Sequence, residues 1–197
     1  MQYDLSRSNT FKLTATGLLI GIGIAIPMFS PFRFVIEPAS YTLASHVVLF
    51  LAMFISPVVA IAVALGTTLG FFLGGFPLVV VFRAASHVIF VTLGSLYLSR
   101  VNKLEFGGVR MRVFSLIIAL IHGFSEFAVV MIFYFAEPGA SMSGVFRRGG
   151  LFFTFFLLVG IGSVVHSLID FEIAAAIKKV LERQPNFREL MLNKKIE

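Results

Sequence analysis

Residues 47–65, VVLFLAMFISPVVAIAVAL, carry no charged side chain, and similar apolar runs alternate along the whole chain with short breaks of proline, glycine or charge. Strands with one face in lipid and one in a lumen require a period of two, and these runs show none. The pattern instead predicts helices at about 12–29, 42–56, 58–75, 78–99, 112–136 and 150–177. Several approach the roughly 18 to 20 residues that a helix needs to cross a hydrocarbon core of about 30 Å. Pro57, the turn Gly74–Gly75–Phe76–Pro77, the charged segment 99–112 and the segment 137–149 separate them. The second and third are short for full spans. The expected fold is an all-α integral membrane bundle of six transmembrane helices, one domain over residues 1–197 with short cytoplasmic tails.

Composition agrees, and charge adds orientation. The 197 residues are 58% hydrophobic and 13% charged, with a mean hydropathy of +0.96, outside the range of soluble domains. The net charge of +6 comes from basic residues in short flanks beside the apolar runs, which marks topology rather than nucleic-acid binding. With the N-terminus in the cytoplasm, twelve Lys and Arg fall inside and three (Arg33, Arg147, Arg148) outside. Both termini are therefore expected to be cytoplasmic, in a multi-pass protein of the cell membrane. No small-residue cleavage site follows the first run, so it reads as an uncleaved span. The absence of cysteine excludes disulfides and thiolate chemistry.

Small residues recur every fourth position, at Gly17, Gly21 and Ala25 and at Gly66, Gly70 and Gly74. Such stripes let backbones approach closely in lipid, either within one bundle or against another membrane protein.

Arg83 is the one basic residue left over by the topology count, and it has company. All four histidines lie in predicted spans, each with a polar group four residues away: Thr42 and His46, Arg83 and His87, His122 and Glu126, His166 and Asp170. That spacing puts both members on one helix face. A charge at mid-bilayer costs roughly 2.5 to 3.5 kcal/mol on insertion scales, so these faces should converge on a cavity or on one another. The blander readings are an internal His166–Asp170 lock on the sixth helix, an interfacial His46 and an Arg83 that snorkels outward. Glu126 needs a partner, and Arg83 is the obvious one.

Three function classes fit such a cluster. One is a small-molecule cavity open to the outside, with Arg83 as anion clamp. Another is an intramembrane metalloenzyme or metal transporter built on His and carboxylate ligands. A proton relay in a secondary transporter is the third. The fixed charge of Arg83 argues against a dication, and no H-E-x-x-H motif is present. No internal repeat of the kind common in secondary transporters is visible.

The stretches "GIGIAIPMFSPFRFVIEPASYTLASHVVLFLAMFISPVVAIAVALGTTLGFF", "FRAASHVIF", "HGFSE" and "GIGSVVHSLIDF" resemble the niacin-type family of substrate-binding S components of energy-coupling factor (ECF) vitamin transporters. The resemblance implies a subunit that captures a vitamin outside the cell and is no enzyme. It would topple in the membrane while docked on a coupling subunit driven by two cytoplasmic ATPases. It needs no cofactor of its own, and the chain has no Walker A sequence for ATP. Docking in that family uses small residues of the first helix, commonly Ala-x-x-x-Ala. Here Leu19 follows Ala15 at that spacing, and Gly17, Gly21 and Ala25 supply an equivalent stripe.

For niacin, the resemblance implies that Arg83 pairs with the carboxylate through two parallel bonds. His87, His122, His46, His166 and Thr42 are the other polar candidates, with no metal. Tyr41, Phe34, Phe32 and the Phe71–Phe72 pair are candidates to close over the ring. Glu126, in the same cluster, would repel an anion unless held by His122 or Arg83. That leaves open a pyridoxine-like compound or hydroxymethylpyrimidine, whose donors a carboxylate would welcome; pantothenate stands beside them as another vitamin that the resemblance allows.

Overall fold

The computed structural model describes residues 2–36, 39–101, 108–136, 152–184 and 187, with side chains except at 2–8, 33–40 and 152–154. The long helix α1 (Gln2–Phe29) leads into a hairpin of β1 (Arg33–Ile36) and β2 (Ala39–Thr42), antiparallel, with Phe34 opposite Tyr41. Then follow α2 (Val47–Ile55), α3 (Pro57–Leu73), α4 (Leu78–Arg100) and α5 (Val109–Ala136). A π-helical segment, Phe152–Ile161, runs directly into α6 (Gly162–Leu181). Apart from the hairpin, the described chain is helical.

Four stretches among the described residues are long and apolar enough to cross a membrane: Asn9–Phe29, Leu78–Arg100, Val109–Ala136 and Phe155–Leu181. The predicted second and third spans are shorter than that. At about 1.5 Å per residue the nine residues of α2 reach about 13 Å. It starts five residues later than the hydrophobic pattern predicts, because Ala39–Thr42 pairs with β1 and the chain turns at 43–46. Within that turn Ala44 adopts a left-handed φ of 68°, a conformation that costs a residue bearing a Cβ.

Helix α2 ends where Pro57 removes a donor. Ser56 goes extended, its Oγ accepts the Val59 N–H at 3.2 Å, and Pro57 opens α3 at a position where a missing N–H does no harm. All nine residues of α2 are buried, with α1, α3, α4 and α6 packed around them. The core therefore lies inside the protein, not in lipid, and its centre is Phe50, Met53, Phe90 and Phe171.

The two small-residue stripes have different fates. Gly66 and Gly70 of α3 receive Ile20 and Ile24 of α1, and a Cβ on Gly66 would meet Ile20 Cδ1 at 2.5 Å. Gly23 of α1 likewise lies against Thr67 and Val48. Gly17 and Gly21, in contrast, are exposed, and a Cβ added at either would meet nothing within 4 Å. The α3–α4 turn uses Gly75 at φ 72°, and Phe76 folds back to stack on Phe71 at 4.8 Å.

Overpacking a filled groove costs about 1–3 kcal/mol. Gly66→Val is therefore expected to lower the thermal midpoint of the detergent-purified protein, whereas Gly17→Val leaves it unchanged. Equal midpoints would show that α1 does not depend on the α3 groove.

Candidate ligand-binding site

The polar faces converge. Arg83 and His87 on α4, Glu126 on α5, Thr42 at the end of β2, His46 just before α2 and His166 on α6 all border one cavity of about 70 Å³, together with Tyr41. Gly23 and Pro27 of α1 and Thr67 of α3 add walls that the sequence did not mark, beside Phe71, which it did.

Glu126 is 3% exposed and is met from α4 and α6. Its Oε2 accepts from Arg83 Nη2 at 2.9 Å and from Ser163 Oγ at 2.5 Å. Its Oε1 lies 3.3 Å from His87 Nε2 and 3.6 Å from His122 Nε2, the latter beyond hydrogen-bond reach. Arg83 is 6% exposed, so it does not snorkel to the surface. Its Nε has no partner among the described residues.

A second carboxylate acts on the backbone. Asp170, fully buried on α6, accepts from the Ala44 N–H at 2.8 Å and the His46 N–H at 2.9 Å, and its Oδ2 lies 3.2 Å from His46 Nδ1. It thus satisfies the free donors that precede α2 and holds the left-handed turn at Ala44 in place. His166 Nε2 lies 3.4 Å from the same carboxylate and 3.2 Å from Ser45 Oγ. The His166–Asp170 pair is therefore more than a lock on its own helix, since it ties α6 to the turn that carries His46.

Imidazoles bridge the two carboxylates. The His46 ring contacts those of His87, His122 and His166 at centroid distances of 4.8, 4.5 and 4.9 Å. His122 is completely buried behind this layer and does not border the cavity. Tyr41 reaches across from the hairpin and donates to the Leu158 carbonyl in the π-helical segment. Burial holds its phenol above the ordinary range, so the ring enters the site as a neutral donor.

The aromatic expectations are partly redrawn. Phe71 lines the cavity and Phe76 stacks on it, but Phe72 is 57% exposed and points elsewhere. Phe32 is also exposed, bordering a separate shallow groove beside Ala25 and Phe29. The Phe34 side chain lies outside the described residues.

The niacin transporter NiaX of Lactococcus lactis subsp. cremoris (strain MG1363) is 36% identical over 172 residues, covering 87% of this chain and 75% of that protein. The chain belongs to the niacin transporter family. It is a multi-pass membrane protein of a transport family, not of an enzyme family. No family model and no solved structure matches it.

Within this member of the niacin transporter family, three site residues escaped the spacing argument. Ser45 meets His166, Ser163 meets Glu126 and Phe76 joins the cavity lining only through the tertiary fold. Ser163 did carry one signal, since it follows Gly160 and Gly162 in the approach to His166. Gly162 has no room for a side chain against the Tyr41 hydroxyl, so glycine there lets the hairpin close on the bundle.

Removing Asp170 would leave two backbone donors and one imidazole without their acceptor, at roughly 1.5–3 kcal/mol for each bond to a charged group. Asp170→Ala is accordingly expected to destabilise the protein by several kcal/mol. Asp170→Asn, which keeps one acceptor oxygen, should lose distinctly less. Unfolding midpoints of the two variants in detergent check this ordering.

Proposed function

We propose that the chain is the substrate-binding S component of an ECF transporter and that it binds nicotinic acid in the Arg83 cavity. One observation carries the ligand reading: a buried guanidinium borders the cavity with its Nε unpartnered among the described residues. Such a group takes a carboxylate through two parallel N–H bonds, in a low-dielectric setting that strengthens both. The name of the Lactococcus lactis relative supports the same vitamin.

Size and shape support a single aromatic ring. On the measure in which one water needs about 10–15 Å³, the 70 Å³ cavity holds about five waters. That suits a pyridine ring with one carboxylate, flanked by Phe71 and Tyr41. Oε2 of Glu126 already accepts from Arg83 and Ser163 and Oε1 is turned to His87, so the carboxylate is directed at the protein's own groups rather than at the donors of a pyridoxine-like or aminopyrimidine compound. Its repulsion of an anionic ligand is offset by the same three partners.

Energy comes from elsewhere in this reading. The chain captures nicotinic acid from outside, docks on a transmembrane coupling subunit and moves its cargo inward as two cytoplasmic ATPases turn over. The open face of α1 at Gly17 and Gly21 supports docking there, and Ala25 borders the adjoining groove. Ala15 packs on the protein's own core instead, so it leaves the docking set. The basic bias of the flanks supports cytoplasmic termini.

Arg83→Lys keeps the charge but loses the planar fork, and is expected to weaken nicotinic acid binding about 10- to 100-fold by calorimetry. Nicotinamide, which lacks the carboxylate, should bind the unaltered protein at least as poorly. If nicotinamide binds as tightly as nicotinic acid, Arg83 is not an anion clamp. Proteoliposomes holding only this chain should accumulate no nicotinic acid; accumulation driven by a proton gradient would point to a secondary transporter.

A further inference from the structure

The rings of His46, His87 and His122 form a closed triangle, with centroids 4.5 to 4.9 Å apart. One donor atom from each, with one from Glu126, lie within 4.8 Å of one another, all on buried residues. His122 is fully buried, and neither of its ring nitrogens has a hydrogen-bond partner among the described residues. A buried imidazole in that condition is short of something to bind.

We infer that His46, His87, His122 and the Oε1 of Glu126 hold a divalent transition-metal ion of the zinc type, set between the cavity and His122. This rests on the nicotinic acid reading only where the ion is coupled to that ligand; the ion site stands on the geometry alone. Three imidazoles and a carboxylate are ordinary ligands for zinc, cobalt and nickel. A tetrahedral ion with bonds of about 2.0–2.1 Å keeps its donors roughly 3.3 Å apart, so the cluster contracts slightly around it.

Two further observations support the ion. Asp170 Oδ2 faces His46 Nδ1 at 3.2 Å, which draws that N–H to the carboxylate and leaves the Nε2 lone pair free. A carboxylate behind the far nitrogen is the usual support of a metal-bound imidazole. The second observation is charge. Arg83, Glu126 and Asp170 together carry one negative charge, and a ligand carboxylate would add another to a site removed from water. A dication brings the loaded set to zero, which is the condition for burying charge cheaply.

Arg83 does not stand in the way, although its charge argued against a dication when only the sequence was in view. Its Nη2 sits on Oε2 of Glu126, while Oε1 is the oxygen turned to the histidines. The carboxylate thus lies between the two cations and shields one from the other.

The test uses the full chain purified in detergent, loaded with zinc sulfate, desalted and measured by elemental analysis. One zinc per chain is expected, absent in His122→Gln and retained in Arg83→Ala. Cobalt loading should give the visible absorption of a tetrahedral site, lost in His122→Gln. Chelation should weaken nicotinic acid binding roughly 5- to 150-fold, the ordinary range of coupling between two sites. Should His122→Gln fail to fold, the comparison of loaded and chelated wild type decides alone. No retained metal, with nicotinic acid bound equally well after chelation, overturns the ion site and leaves the niacin reading intact. Retained zinc in a chain that binds nicotinic acid in neither state supports the ion site and overturns the niacin reading. Retained zinc with nicotinic acid affinity indifferent to chelation overturns the coupling.

Discussion

A carboxylate almost completely removed from water constrains the centre of this protein. Glu126 is tolerable only because Arg83, Ser163 and His87 reach it from α4 and α6 while α5 presents it. Breaking a buried pair by removing one partner typically costs about 3–5 kcal/mol, since the other charge stays behind unpaired. The helices are therefore held in one register by an interaction that lipid could not replace. Asp170 repeats the device one layer over, tying α6 to the turn before α2. Between the two carboxylates sits the His46 ring, so any displacement of one centre is felt at the other.

That arrangement explains why a helix as short as α2 can exist at the heart of a membrane protein. Unsatisfied backbone donors are not tolerated in a dry interior, and the start of α2 exposes several. Asp170 supplies the acceptor, Ser56 does the same for α3, and the break at Pro57 becomes a feature with both sides satisfied. Because α2 stops short, the space above it remains for the polar groups that border the cavity. The cavity is the consequence of a helix that does not span.

The same economy of space appears along α1. Its Ile20 and Ile24 fill the glycine groove of α3, which joins it to the bundle on one face. The flank beside them, at Gly17 and Gly21, stays exposed. A helix seated in one groove with small residues left open beside it has the kind of surface on which membrane helices approach closely.

The sequence alone determined the solvent, the class and the identity of the main polar residues. Runs such as 78–99 are too apolar for water, and Arg83 and Glu126 are too costly in lipid to be there without a purpose. The four-residue spacing of Arg83 with His87 and of His122 with Glu126 placed each pair on one face, because helix geometry is local. The tertiary structure alone decided which groups meet. It put Ser163 on Glu126, turned Phe72 outward while Phe71 faced the cavity, and set Asp170 on backbone donors 124 and 126 residues away in the chain. It also set Thr42 at the end of a strand, because pairing with β1 overrode the helical pattern there. These outcomes depend on how helices pack against one another. Hydrophobic periodicity says which residues avoid water, and in a chain this apolar it says little about which helix each one faces.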